Sequence, residues 1–204
     1  YELCACLVGS EMCIRDSPES MKSDKCSRYK WLYETYENDL FSYGMAFGIG
    51  KEELEDCVQD VFLYLYEHDC RLWESDNIKA YLLKCLKNRI LIEKRRNILL
   101  EEFTEDKVED EFTIEVNGFE LIMDEKEQME KIQRLQEMLN ALTPRQREAI
   151  YLRYTQGLSY EEVGRVMGIQ PTAAQKLVYR AIEEMRNRHP QMLCWLLLCL
   201  MQPT

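Results

Sequence analysis

LTPRQREAIYLRYTQGLSYEEVGRVMGIQPTAAQKLVYRAIEEMRNR, residues 142–188, is the stretch whose reading decides the fold. Thr143 is a good N-cap, Pro144 suits the first helical position, and Gln146 completes a capping box. The helix that follows is expected to bury Ile150, Leu152 and Tyr154 and to end near Gly157. Ser159 caps the next helix, with Glu162 closing a second capping box. Val163, Val166 and Met167 give that helix an apolar side, and Gly168 stands where a left-handed C-terminal cap is needed. A tight turn through Ile169 and Gln170 leads to Pro171, which opens the last helix. There Ala174, Val178, Ala181, Ile182 and Met185 recur at helical spacing and should face inward. The stretch therefore reads as a helix-turn-helix with a supporting helix in front.

The other side of the last helix carries Thr172, Ala173, Gln175, Lys176, Tyr179 and Arg180. Amide and cationic donors near a helix start, beside a small apolar surface for a thymine methyl, suit a reader of the major groove. A plain three-helix packing unit with a solvated face is the alternative. Two capping boxes, a glycine turn and a short polar-basic helix favour the DNA reader. The run LTPRQREAIYLRYTQGLSYEEVGRVMGI resembles region 4 of bacterial sigma factors, which binds the promoter −35 element. Where many members carry Gly-Thr-Val-Lys-Ser-Arg, this chain has Thr172-Ala173-Ala174-Gln175-Lys176-Leu177; Arg180-Ala181 is retained. The resemblance implies the fold and a −35-binding role for the six residues of the polar face. It leaves the DNA sequence they read open.

Upstream, a helix is expected from about residue 127, with Met129, Ile132, Leu135, Met138, Leu139 and Leu142 on its apolar side. Before it, residues 98–127 form a strongly acidic linker whose apolar residues have no long regular period. By composition it is a solvated tether. Residues 78–97, IKAYLLKCLKNRILIEKRRN, form a helix that packs through Ile78, Leu82, Cys85, Leu86 and Ile90. Lys84, Lys87, Arg89, Lys94, Arg95 and Arg96 make it the most basic stretch of the chain. Residues 69–77 read as a loop, with Asp76 or Asn77 as the cap of that helix. Residues 51–68 form a helix facing inward through Leu54, Val58, Val61, Phe62 and Leu65. Residues 27–48 form an aromatic helix in which Tyr29, Tyr33, Tyr36, Leu40, Tyr43 and Phe47 share one face.

EDCVQDVFLYLYE within 51–68 also looks like region 2 of the extracytoplasmic-function (ECF) sigma factors, and the basic run resembles that family's rNxxxDxxRR segment. This second resemblance implies that Asp56, Gln59 and Asp60 dock on core RNA polymerase. It implies −10 promoter contacts by Asn88, Arg89, Arg95 and Arg96, with Glu93 in place of the usual Asp. Trp73, in the loop, is a candidate to stack on a base extruded from the −10 element, at a cost of a few kcal/mol in unstacking; a Trp packed over the core is the bland alternative. The linker, by the same resemblance, threads through core polymerase, where an acidic strand can stand in for nucleic acid.

Composition sets the bounds. The formal net charge of −11 excludes a simple DNA-coating protein, because sequence-independent affinity comes from phosphate neutralisation. Nine cysteines include no CxxC, and the two histidines have no ligand-like neighbours, so no metal or other cofactor is expected. No phosphate loop, HExxH or GxSxG occurs, so the protein is expected not to be an enzyme. The fold class expected is all-α, with two small helical domains joined by an acidic linker. The bounds expected are residues 21–97 for the region 2-like domain, 98–127 for the linker and 128–190 for the region 4-like domain. Residues 1–20 resemble translated adaptor sequence and are read as a non-native leader. Residues 191–204 form a hydrophobic tail, about half the length a membrane span needs. It is read as packing on its own domain or on a partner such as an anti-sigma factor. The function expected is that of a cytoplasmic sigma factor, with core RNA polymerase and promoter DNA as partners. An autonomous helix-turn-helix regulator is the alternative.

Overall fold

The computed structural model describes residues 25–68, 77–100, 111–114 and 125–188. These residues are helical apart from short connections and the segment 111–114, so the all-α expectation holds. The helices are α1 (Lys25–Met45), α2 (Lys51–His68), α3 (Ile78–Leu100), α4 (Glu125–Asn140), α5 (Pro144–Ile150), α6 (Tyr160–Met167) and α7 (Pro171–Arg188). The chain divides into two units, residues 1–35 and 36–204. In the first, the opening turns of α1 carry a Lys30–Glu34 pair at 3.8 Å. All that follows concerns the second.

Leu40, Tyr43 and Phe47 are buried, as the aromatic stripe predicts, while Tyr36 is only half-buried. Leu54 of α2 sits so close to Gly44 that a Cβ there would lie 2.2 Å from its Cδ1. Val58, Val61, Phe62 and Leu65 of α2 are buried, as are Leu82, Leu83, Leu86 and Ile90 of α3. Asn77 is the cap of α3: its side-chain oxygen accepts the Ala80 N–H at 3.1 Å.

Both capping boxes of the helix-turn-helix form. Thr143 and Gln146 exchange hydrogen bonds at 2.8 and 3.3 Å, and Ser159 and Glu162 at 2.7 and 3.3 Å. Gly168 ends α6 at φ 67°, the left-handed conformation its place demands. Ala174, Val178, Ala181 and Met185 of α7 are buried, with Ile182 at the margin. One expectation fails. Tyr154 is only half-buried, and Tyr151 is buried in its place. The helix widens into a π-turn at Tyr151–Thr155, and all five residues from Glu148 to Leu152 are buried. A helix buried on one stripe would not show this; α5 is covered on two sides.

The second covering comes from the amino-terminal helices. Glu148 is 1% exposed. Its carboxylate accepts two hydrogen bonds from Lys87 Nζ of α3, at 2.7 and 2.8 Å, and one from Tyr43 Oη of α1 at 2.6 Å. Tyr151 stacks on Tyr43 at 6.0 Å between ring centroids. Lys87, one of the six cations that make this helix the most basic stretch, is buried. Nearby, Asn77 Nδ2 donates to Glu162 Oε1 at 2.7 Å, so the start of α3 is tied to the start of α6.

The segment 111–114 closes the junction. Phe112 is buried between Phe47, edge-on at 5.1 Å, and Tyr151 at 5.6 Å. Thr113 N–H donates to Ala46 O at 2.7 Å, and Gln136 Nε2 donates to Ile114 O at 3.0 Å. Arg147 joins this segment to the end of α4, donating to Phe112 O at 2.5 Å and Leu142 O at 2.9 Å. Carbonyls at a helix end have no partner within the helix, and a guanidinium supplies several donors at once. Burial lowers the Arg147 pKa from its ordinary value. Phe112 and Ile114 of this segment are thus buried, in contrast to the tether that composition suggested. The hydrophobic tail and the leader lie outside the described residues, as does Trp73.

Gly164 of α6 faces the turn: a Cβ there would lie 2.8 Å from Ile169 O and 3.3 Å from Pro171 N. Both are backbone atoms and cannot swing aside. Helix propensity alone would make Gly164→Ala stabilising by about 1 kcal/mol. The clash reverses the sign, and thermal denaturation of Gly164→Ala should show a net loss of about 1–3 kcal/mol. A gain in stability would mean that the turn relaxes freely.

Candidate nucleic-acid interface

The helix-turn-helix presents a continuous polar face. Thr172, Lys176, Tyr179 and Arg180 are exposed on α7, with Ala173 and Gln175 half-buried between them. Pro171 starts the helix, and Gln170 O accepts the N–H groups of Ala173 and Ala174 at 2.9 and 3.0 Å. Thr172 and Ala173 thus sit in a fixed first turn. Among the described residues, neither Lys176 nor Arg180 has an ion-pair partner. Both cations are available to a phosphate or a base edge, and Tyr179 adds a largely exposed ring between them and the end of the helix.

The basic helix α3 is arranged differently. Asn88, Arg95 and Arg96 are exposed. Arg89 is half-buried and already engaged, 2.7 Å from Asp60 and 3.3 Å from Glu93. Arg96 reaches Glu93 at 3.6 Å, a surface pair that solvent screens strongly. Of the four α3 residues expected to contact DNA, Asn88 and Arg95 are the freest, and Arg89 is the most committed. The sequence could not show this, because Asp60 lies on another helix.

Asp56, Gln59 and Asp60 are exposed along α2, as a docking face requires. They line a groove of about 230 Å³ between α2 and α3, whose far wall is Arg89, Glu93 and Arg96. A wider groove of about 630 Å³ continues along the same face past Leu63, Tyr64, Asn88 and Ile92. Leu63, Tyr64 and Ile92 are among the most exposed large apolar side chains described. The Asp60–Arg89 pair therefore joins the residue set expected to dock on polymerase to the set expected to contact DNA.

Cys57 and Glu162 are among the titrating groups that are displaced. Burial pushes the Cys57 thiol up to about 11; Arg89 opposes the shift, and Glu93, Asp60 and Asp56 add to it. Cys57 therefore stays protonated near neutral pH and is a packing residue. Burial alone would raise the Glu162 carboxyl, but hydrogen bonds from Ser159 and Asn77 and the charge of Arg165 hold it below the usual carboxylate value. No group of acidic, cysteine and histidine side chains that could hold a metal occurs among the described residues.

Residues 32–97 match the family model for sigma-70 region 2, and residues 132–185 match the model for sigma-70 region 4. The chain belongs to the sigma-70 family. Together the two matches cover more than half of the sequence, and the relatives place this sigma-70 protein in the ECF group. It is 26% identical to the ECF RNA polymerase sigma factor BldN of Streptomyces coelicolor, over 84% of this chain and 64% of that one. It is 22% identical to the ECF RNA polymerase sigma factor SigM of Bacillus subtilis, over 76% of this chain and 91% of that one. The fold is shared with the sigma factor RpoE of Bartonella quintana, solved in complex with the anti-sigma factor NepR. That likeness has a TM-score of 0.56 and 22% identity, and covers 79% of this chain and 96% of that one. In this sigma-70 protein, α1–α3 make up region 2 and α4–α7 make up region 4.

The displaced Glu162 gives region 4 a pH signature. Its folded-state pKa lies below the unfolded value, so its contribution to stability is fully present above about pH 4.5. That contribution is lost as pH falls from there through the lower folded value. The melting temperature of wild type should exceed that of Glu162→Gln at pH 6, and the gap should narrow below pH 4.5. A gap independent of pH would remove the cap from the account.

Proposed function

We propose that the chain is a transcription initiation factor that brings core RNA polymerase to promoters. Region 4 reads the −35 element through Thr172, Ala173, Gln175, Lys176, Tyr179 and Arg180. Region 2 docks on polymerase through Asp56, Gln59 and Asp60 and contacts the −10 element from α3, chiefly through Asn88, Arg95 and Arg96. Arg89 orients the junction between those two faces, and Trp73 belongs to the −10 role. The observation that carries this reading is the pairing of a sigma-70 region 2 with a helix-turn-helix whose exposed polar face holds two cations, Lys176 and Arg180, with no ion-pair partner among the described residues.

The charge pattern supports the division of labour. A chain of net charge −11 gains little from non-specific phosphate attraction, so each small reader binds weakly alone. Held on polymerase, two weak readers act on one DNA molecule, and the second contact becomes effectively intramolecular. The chain itself performs no chemistry in this scheme; it directs the enzyme that does. The work belongs in the cytoplasm, where polymerase and promoter are. Among the described residues no helix is long and apolar enough to cross a membrane. An anti-sigma factor is a further partner, by analogy with the partner of the Bartonella protein.

Run-off transcription with purified core polymerase on a pool of promoter fragments tests the proposal. Specific transcripts should depend on the chain, and Lys176→Ala with Arg180→Ala should reduce them at least tenfold while leaving polymerase binding intact. Asp56→Ala with Gln59→Ala should instead weaken polymerase binding. Tight, salt-resistant binding of the free chain to a palindromic duplex, without polymerase binding, would identify an autonomous regulator.

A further inference from the structure

We infer that Lys176 is the residue of α7 that selects sequence in the −35 element, and that the base it selects is guanine, while Arg180 anchors the same helix on a phosphate. The inference rests on the promoter reading above and deepens it. It divides the exposed face of α7 into a ridge that reads bases and a flank that holds the backbone.

The phase of the helix makes the division. Ala174, Val178, Ala181 and Met185 are buried and together mark the inward direction of α7. At about 100° per residue, the line opposite them runs within roughly 10° of Lys176 and of Glu183, with Tyr179 and Arg180 roughly 50° to either side. Ala173 and Gln175 lie further round and are half-buried. A helix seated in the major groove turns its outermost ridge to the base edges and its flanks to the walls, where the phosphates are. In a helix-turn-helix the N-terminal residues of the reading helix meet the bases. Lys176, in the second turn after Pro171, belongs to that part. Glu183 lies about 10 Å further along the axis, where the helix leaves the floor of the groove. Its carboxylate is repelled by phosphate on either wall, so the helix enters with its start foremost.

The charge around Lys176 points the same way. It is exposed and has no ion-pair partner among the described residues. The positions three and four residues away on the helix hold Thr172, Ala173, Tyr179 and Arg180, none of them a carboxylate. With Arg180 it forms a like-charged i,i+4 pair, which destabilises a helix by itself. The first turn of α7 carries no acidic residue, whereas that of α6 carries Glu161 and Glu162. The positive end of the α7 dipole therefore adds to Lys176 instead of being balanced. A helix that served packing alone would gain nothing from this crowding, and DNA relieves it on binding. The ammonium is a donor with no acceptor. Guanine shows it two acceptors in the major groove, N7 and O6. Adenine sets an amino donor beside N7, thymine offers O4 alone, and cytosine offers only a donor. Guanine is thus the base that Lys176 satisfies best.

Selection from promoter fragments randomised across the −35 element, by core polymerase carrying the full-length chain, tests the assignment. Wild type should enrich guanine at one position about tenfold over the other bases. Lys176→Ala should lose that preference and keep those at other positions. Lys176→Gln should move it to adenine, whose N6 and N7 an amide matches. Arg180→Ala should weaken every sequence alike and lower the salt dependence by about one counterion. Glu183→Gln should tighten every sequence alike and leave the guanine preference in place. The melting temperature of Lys176→Ala should equal or exceed that of wild type, because a like-charged pair is removed; a lower value would make Lys176 a packing residue and overturn the assignment. It is overturned equally if Lys176→Ala weakens all sequences with the guanine preference intact, if that preference follows Arg180 or Glu183, or if other bases are selected and guanine is not. Should polymerase carrying wild type select no −35 sequence at all, it is the sigma-factor reading that fails.

Discussion

A carboxylate taken out of water must find donors to replace the water it loses, and Glu148 finds all three of its hydrogen bonds on the opposite domain. The rest of the junction follows from that requirement. Lys87 must turn inward from an otherwise basic helix face. Tyr43 must present its hydroxyl to α5 while its ring lies among Phe47, Phe112 and Tyr151. Leaving out one member of such a set costs about 3–5 kcal/mol, because the others stay buried without partners. Replacing the whole set by apolar side chains would be tolerated or even stabilising. A polar junction is thus one that can come apart into water, where each of its groups is solvated. An apolar junction of the same area would hold the domains together more permanently.

The aromatic packing and the strap give that polar centre its shelter. Phe112 contributes its area to the junction from a segment with no regular structure, fixed by the Thr113 N–H donating to Ala46 O on one side and the Arg147 guanidinium donating to Phe112 O on the other. Burial pushes the Tyr151 phenol up to about 12, against the effect of its hydrogen bond with Gln156 and with a small addition from Asp39. Its stacked ring therefore stays neutral throughout the physiological range. Arg147 serves three neighbours at once: the end of α4, the turn into α5 and the strap.

Four cations of the chain show three different physical situations. Lys87 is buried in the junction. Arg89 is held by Asp60 and Glu93 at the seam of α2 and α3. Lys176 and Arg180 on α7 have no ion-pair partner among the described residues. Like Arg95 of α3, these two can meet DNA without giving up such a partner. At Arg89, contact with DNA or polymerase would redistribute existing pairs, since Asp60, which restrains it, is in the set proposed to dock on polymerase.

Local chemistry was legible in the sequence by itself. Thr143 with Gln146, Ser159 with Glu162, and Gly168 after an apolar run specify helix starts and a stop through contacts three or four residues apart. The apolar periodicity of α2, α3 and α7 fixes which face turns inward, and the motifs carried by those helices were enough to place both sigma regions. Other features were decided only by tertiary structure. Tyr151 rather than Tyr154 is buried because a π-turn shifts the phase of the helix and a second domain covers it. Lys87 and Arg89 look alike as cations of one basic helix. Their fates differ because one faces Glu148, 61 residues away, and the other faces Asp60 on the preceding helix. Phe112 was one apolar residue in an acidic linker until Phe47 and Tyr151 enclosed it. A sequence pattern records the partners a residue meets along its own helix. Partners brought by chain folding leave no periodic trace, and here they determine the junction.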